Sequence, residues 1–146
     1  MNPVELIEKL IRAEVLSLAL TNIPDKGATE EYFVETESRL GISINYEYKE
    51  FLKIWNGADL DVIRLYSTNN LYIENGNLVF ADDPSGFIYS INENGEITSF
   101  DTDGGETKTI ASSFSDFFYS YLFGSRSHEF MGEEWKAELK DAGIST

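Results

Sequence analysis

The stretch Leu71-Tyr72-Ile73-Glu74-Asn75-Gly76-Asn77-Leu78-Val79-Phe80-Ala81 decides the fold class of this chain. Asn-Gly between alternating apolar residues is the strongest short-range signal for a β-hairpin with a two-residue turn. Such a turn pairs Ile73 with Leu78, and it also pairs Leu71 with Phe80. The four apolar side chains then share one face, so the turn and the pattern agree on an antiparallel hairpin with one buried side.

Other strands lie on both sides of this hairpin. The segments Val62–Tyr66 and Thr107–Ala111 have a residue pattern typical of a strand. The dipeptide Asn94-Gly95 lies between two further segments of this kind, Phe87–Ile91 and Glu96–Phe100. The latter pair predicts a second hairpin. A two-residue loop there would place Glu93 opposite Glu96, and like charges in that position repel. Either the loop is longer, or the chain tolerates the repulsion for a functional reason.

Helical spacing of apolar residues precedes and follows the strands. Helices are predicted over residues 3–20, 29–40, 46–56 and 129–141, and another begins at Ser112-Ser113. The stripe of Tyr48, Phe51, Leu52 and Trp55 is typical of a core-facing helix. Trp135 is equally consistent with a core position and with a partner contact. The order predicts one α+β domain over residues 1–146, with a curved antiparallel or mixed sheet between N-terminal and C-terminal helices.

The charge of the chain is strongly acidic and unevenly placed. The 146 residues carry 26 Asp and Glu against 11 Lys and Arg, a formal charge of −15, and residues 65–107 hold eight acids with no Lys or Arg. The 14% aromatic content excludes a disordered acidic tail. A field of one sign accelerates association with a basic protein and repels nucleic acid, so we expect the first partner and not the second.

Several site classes are excluded or disfavoured. The chain has no Cys and a single His, so thiolate sites and paired imidazoles are excluded, and His128 is predicted in an exposed loop. Asp101–Glu106 lacks the glycine and glutamate spacing of an EF-hand, and Asp82–Gly86 is typical of a turn. We therefore expect no metal, cofactor or catalytic constellation. With no signal peptide and no membrane span in view, we expect a cytoplasmic protein.

An ordered set of short segments resembles the SUKH superfamily, whose members are related to the fungal Smi/Knr cell-wall regulators and to the bacterial Syd protein. The resemblance covers about residues 27–123. It rests on Gly27–Glu31, Glu37–Ile42, Tyr48–Leu52, Asn56-Gly57, Phe80–Asp83, Phe100-Asp101, Gly104–Glu106 and Ala111–Phe118.

The resemblance implies an α+β fold with a curved mixed sheet, and it implies no enzymatic activity. Many bacterial members are implied to be immunity proteins that bind and block a cognate toxin of a polymorphic or contact-dependent system. Such toxins are often nucleases, whose basic cleft an acidic inhibitor can occupy. The alternatives are an intracellular regulatory or scaffold module, as the fungal relatives suggest, and an enzyme or ligand binder with a carboxylate pocket.

The acidic middle of the chain supplies the candidate contacts with a basic toxin. Each carboxylate would accept hydrogen bonds from Arg or Lys, and aromatic residues often dominate such interfaces. The candidates are Glu74, Asp82, Asp83, Glu93, Glu96, Asp101 and Asp103, with Tyr72 and Tyr89 as the aromatic pair.

Overall fold

The computed structural model describes residues 1–144, so Ser145 and Thr146 of the predicted domain lie outside the described residues. The α-helices are α1 (Pro3–Arg12), α2 (Glu30–Leu40), α3 (Tyr46–Ile54), α4 (Phe114–Asp116) and α5 (Ser127–Asp141). A 3₁₀ helix spans Leu18–Leu20, and a π-helix spans Phe117–Leu122. The strands are β1 (Thr21–Asn22), β2 (Ala58–Leu60), β3 (Arg64–Leu65), β4 (Tyr72–Glu74), β5 (Asn77–Asp82), β6 (Phe87–Ile91), β7 (Ile97–Asp101) and β8 (Thr107–Ala111).

The strands form one sheet in the order β1-β2-β3-β5-β6-β7-β8, and β4 also pairs with β5. All described pairings are antiparallel. Helices precede and follow the sheet in the chain, which confirms the predicted α+β class. Among the described residues, no helix is both long and apolar enough to span a bilayer.

Both predicted hairpins are present. Ile73 pairs with Leu78 across a turn in which Asn75 and Gly76 have φ values of 52° and 80°, as a two-residue hairpin turn requires. In the second hairpin Ile91 pairs with Ile97, and the N–H of Asn92 donates to the carbonyl of Glu96. The loop is therefore the longer one, and it removes Glu93 from the position opposite Glu96.

A β-bulge on β5 shapes the centre of the sheet. Val79 pairs with Ser90 and Ala81 with Tyr89, so Phe80 is an extra residue on its strand. Phe80 and Ala81 are both completely buried. A bulge bends the strand and increases its twist, so this extra residue adds to the curvature of the sheet.

The core joins α3 to the sheet through Tyr48, whose side chain is fully buried. Its ring contacts those of Phe80 and Phe114 edge-on, with centroids 5.1 and 5.2 Å away. Its hydroxyl donates to the backbone carbonyl of Tyr66, and the N–H of Tyr66 donates to the carbonyl of Phe80. Trp55 is buried in the same core, as the helical stripe predicts.

The predicted helix over residues 3–20 is wrong in its second half. Asn2 caps α1 by accepting from the N–H of Glu5, but the helix ends at Arg12 because Glu14 adopts a left-handed conformation with φ 60°. The chain turns there and forms the 3₁₀ helix and β1. At the end of the fold, Lys9 Nζ of α1 donates to the carbonyl of Gly143 at 3.1 Å.

The predicted strand Val62–Tyr66 shortens to β3, and β2 is a strand that the sequence pattern missed. Asp61 lies between β2 and β3 with φ 72° and forms a tight turn. Its carboxylate accepts from the N–H of Ser17 at 3.0 Å, which holds this unusual conformation in place.

The C-terminal part differs in detail from the prediction. Ser113 caps α4 as expected, but the helix then widens into a π-helix. His128 lies in the first turn of α5 and is half-buried, so its prediction as an exposed loop residue is wrong. Trp135 is a core residue, and its Nε1 donates to the carbonyl of Leu122 at 2.8 Å.

The Tyr48→Phe variant should lose about 1–3 kcal/mol of unfolding free energy, because the buried carbonyl of Tyr66 loses the donor hydroxyl. Urea denaturation followed by circular dichroism measures the loss. Tyr46→Phe removes the same atom from a ring on the same helix that is 72% exposed, and it should change the free energy by less than about 0.5 kcal/mol. Equal midpoints for the two variants would contradict this role of Tyr48.

Candidate functional site

The helices pack on one face of the sheet, and the opposite face forms a shallow concave surface. We call this surface the open face. Its cavity of about 300 Å³ is lined by residues of β4 to β8 and of the β4–β5 turn. The lining residues are Glu74, Asn75, Asn77, Val79, Ile88, Ser90, Thr98, Phe100 and Thr107.

The register of the strands explains why these side chains share a face. Ser90 lies opposite Thr98, and Ile88 lies opposite Phe100, at alternate positions of β6 and β7. Ser90 and Thr98 hydroxyls are 2.6 Å apart and hydrogen-bond to each other. Tyr72 pairs with Val79 on the same face and is 39% exposed. The open face thus offers hydroxyl groups and apolar side chains together, which suits a protein contact.

An ion pair and a pair of stacked aromatic rings form one border of the open face. Asp82 accepts from Arg64 Nη2 at 2.6 Å and from the Tyr66 hydroxyl at 2.7 Å. The guanidinium of Arg64 lies 5.1 Å from the centroid of the Tyr66 ring, and this ring stacks on Tyr72 at 6.4 Å. Arg64 immediately precedes the stretch without basic residues, so β3 neutralises Asp82 from outside that stretch.

The tyrosine hydroxyls of this border are held in their protonated form. Burial first, and then the hydrogen bond to Asp82, raise the pKa of Tyr66 to about 12. Burial also raises the pKa of Tyr72, with a further contribution from the charge of Glu74. Both rings therefore present neutral hydroxyl groups near neutral pH.

A second group of candidate acids lies at the end of the sheet that carries the β5–β6 and β7–β8 loops. Asp83 accepts from the N–H of Ser85 at 2.9 Å and from the Tyr89 hydroxyl at 2.6 Å. Asp101 accepts from the N–H of Asp103 at 2.9 Å within the β7–β8 turn. Asp83 and Asp101 hold loops of their own chain, whereas the side chain of Asp103 is exposed.

Tyr89 requires a correction. Its side chain is only 2% exposed, and its ring contacts that of Phe117 in the core at 5.3 Å. Burial and the hydrogen bond to Asp83 raise the pKa of its hydroxyl. Tyr89 therefore anchors the loop that carries Asp83, and its ring is not available to a partner.

The remaining candidate acids lie at the opposite end of the sheet, which carries the β4–β5 and β6–β7 turns. Glu74 and Glu93 are exposed, while Glu96 is half-buried and accepts from Asn92 Nδ2 at 3.0 Å. β6 has five residues and separates the two ends by about 17 Å. The structure therefore divides the candidate acids between the two ends of the sheet, on either side of the open face.

A separate cavity of about 270 Å³ lies beside the β7–β8 turn and contains side chains of both charges. Arg126 Nε donates to Glu129 at 2.9 Å, and this hydrogen bond lowers the pKa of the Glu129 carboxyl. A general acid needs a shift in the opposite direction. Within residues 1–144, no cluster of three or more His, Asp or Glu side chains has the arrangement of a metal site.

Sequence reasoning missed part of the open face and its border. The outward residues Ile88, Thr98 and Phe100 follow from the alternation within the second hairpin, so the signal was present. The pairing of Arg64 with Asp82 joins residues that are 18 positions apart, and only the neighbouring positions of β3 and β5 bring them together.

A family model matches most of the chain. The model described as "SMI1 / KNR4 family (SUKH-1)" matches residues 27–120, which is more than half of the chain and runs from the residues before α2 into the π-helix. The whole of β2 to β8 lies within the match, while α1 and α5 lie outside it. No curated protein matches the chain.

The free energy of unfolding should fall as the pH rises from about 10 to 12. An unfolded tyrosine titrates near pH 10, whereas Tyr66 in the fold keeps its proton up to about pH 12. The stability that Tyr66 contributes is therefore fully present below about pH 10 and is lost as the pH approaches 12.

Urea denaturation of the wild type and of Tyr66→Phe across this range measures the effect. The variant should show a shallower decline, because it has lost one of the titrating groups. Equal slopes for Tyr66→Phe and the wild type would contradict the prediction.

Proposed function

The chain belongs to the SMI1 / KNR4 family (SUKH-1), and from this membership we propose that it is a non-enzymatic immunity protein that binds and neutralises a cognate toxin. The toxin is a protein with a basic surface, of the polymorphic or contact-dependent kind, and a nuclease fits best. The protein acts as one domain in the cytoplasm, as a stoichiometric inhibitor.

The observation that carries the proposal is a sheet face lined by residues of β4 to β8 and of the β4–β5 turn, with carboxylates at both ends. A surface that mixes aromatic, aliphatic and hydroxyl side chains is suited to binding a protein. The acidic groups at its ends favour a basic partner, because they steer it during diffusion and accept hydrogen bonds from Arg and Lys on contact. Tyr72 is the exposed aromatic candidate at this face.

The candidate acids divide into two roles in this proposal. Glu74, Glu93 and Asp103 are exposed, so they are the acids that a toxin meets first. Asp82, Asp83, Asp101 and Glu96 accept hydrogen bonds from their own chain, so their role is to hold β3, Tyr89 and the loops in place. Truncating a member of the second group would disturb the fold as well as the contact.

A nuclease is the favoured toxin because its catalytic cleft must be basic to hold phosphate. Acidic side chains at the ends of the sheet that reach into such a cleft replace the nucleic acid by charge mimicry. The same charge disfavours direct binding of nucleic acid to this chain.

Co-expression tests the function directly. A toxin domain encoded immediately upstream of this gene should arrest growth when produced alone, and production of this chain should restore growth. The two purified proteins should form a stoichiometric complex. If the chain neither restores growth nor binds that toxin domain, the proposal of an immunity function is wrong. The hypothesis of a regulatory module without a toxin partner then explains the protein better.

The triple variant Glu74→Lys, Glu93→Lys, Asp103→Lys should slow association with the toxin by about tenfold or more and flatten its dependence on salt. Stopped-flow association at several ionic strengths measures both effects. All three residues are exposed, so the fold should be retained.

A matched variant controls for net charge. Glu133→Lys, Glu134→Lys, Glu138→Lys makes the same change in formal charge at exposed positions of α5, away from the sheet. It should slow association much less than the sheet variant. If both triple variants slow association equally, binding responds to total charge, and the assignment of the contact to this face of the sheet fails.

A further inference from the structure

A second surface of the molecule, away from the open face, is an apolar groove among the helices. It lies between α3 and the segment formed by α4 and the π-helix, with Pro3 of α1 beside it, and its volume is about 340 Å³. We call it the helix groove. Its aromatic lining consists of Tyr46, Phe51, Phe114, Phe118 and Tyr119.

The helix groove combines a rigid floor with exposed apolar walls. Phe51, Phe114 and Phe118 are buried, and their rings lie within 6 Å of one another. On the walls, Tyr46 is 72% exposed and Tyr119 is 40% exposed. Large apolar side chains that are exposed together in a concave surface mark binding sites in soluble proteins.

The π-helix supplies an independent observation at the same place. π-helical turns are rare and are frequently found at functional sites. Here the π-helix carries both Phe118 of the floor and Tyr119 of the wall, and their rings meet edge-on at 5.1 Å. Two neighbouring residues thus line the groove, one buried and the other exposed.

The charges of the helix groove are acidic on balance. Glu47 and Glu50 line it together with Lys53, whose Nζ is 3.0 Å from Glu50 Oε1. The charges of Lys53 and Glu50 therefore cancel, and Glu47 gives the groove lining a net charge of one negative unit. With a chain charge of −15, this favours a cationic occupant and opposes a second copy of the same chain.

We propose that the helix groove binds a segment of a partner protein in which an aromatic side chain is flanked by basic residues. The aromatic ring lies on Phe51 and Phe118 between Tyr46 and Tyr119, and the flanking bases are attracted by Glu47 and by the acidic charge of the chain. The proposal rests on the proposed function only in taking a basic protein as the partner. It adds a contact on the opposite side of the sheet from the open face.

A short peptide tests the proposal without any toxin. Acetyl-Arg-Trp-Arg-amide, titrated into the ¹⁵N-labelled protein, should shift the amide signals of Tyr46, Ile54 and Tyr119 with a dissociation constant of about 1 mM. Acetyl-Arg-Gly-Arg-amide lacks the ring and acetyl-Glu-Trp-Glu-amide reverses the charge. Each should bind at least about tenfold more weakly, because it keeps only one of the two features.

Variants locate the site. Tyr46→Ala, Tyr119→Ala should weaken binding of the first peptide by about tenfold or more, while Tyr72→Ala on the open face should leave it unchanged. Tyr46→Ala alone serves if the double variant loses its native circular dichroism spectrum. Shifts confined to the acidic loops, equal binding of the charge-reversed peptide, or no binding would each overturn the proposal. None of these results bears on toxin neutralisation through the open face.

Discussion

The fold depends on the buried hydroxyl of Tyr48. A hydroxyl taken out of water must find a partner, and here the backbone carbonyl of Tyr66 supplies it. Because Tyr48 belongs to α3 and Tyr66 follows β3, this hydrogen bond fixes the distance between the helical layer and the sheet. The N–H of Tyr66 in turn donates to Phe80 on β5, where the bulge begins to bend the sheet. The curvature of the open face and the position of the α3 wall of the helix groove are thus set at one junction.

Some carboxylates of this protein are bound by its own side chains and backbone, and others are exposed and free to attract a partner. Asp82 and Asp83 are neighbours in sequence, but one binds Arg64 and Tyr66 beside the open face, while the other holds its own loop and Tyr89. Exposed carboxylates such as Glu74, Glu93 and Asp103 lie at the turns and loops that surround this framework. A binding surface built this way keeps its shape because its most constrained acids are already satisfied, and its electrostatic attraction comes from the others.

Local sequence patterns predicted most of the helices and strands correctly. Asn75-Gly76 placed the first hairpin in its correct register, and the helix predicted over residues 29–40 is α2. Failures occurred where a contact distant in the chain decides the local conformation. Asp61 turns the chain between β2 and β3 while its carboxylate binds Ser17, and no local pattern announces that contact. The candidate acids were identifiable as charges, but whether each was exposed depended on partners such as Tyr89 and Arg64. The helix groove had no local signal, since it joins α3 to residues more than 50 positions later.

The hydrogen bond between Lys9 and Gly143 spans 134 positions of the chain and joins the first helix to the end of the last one. During synthesis the ribosome must add residue 143, and α5 must leave the exit tunnel, before this contact can form. α1 is the first of the described helices in chain order, yet this contact needs a residue 134 positions later. The hairpins of the sheet, whose strands are adjacent in sequence, can pair well before that moment. Closing the fold between α1 and Gly143 therefore costs far more chain entropy than closing either hairpin, because 134 positions separate the two partners.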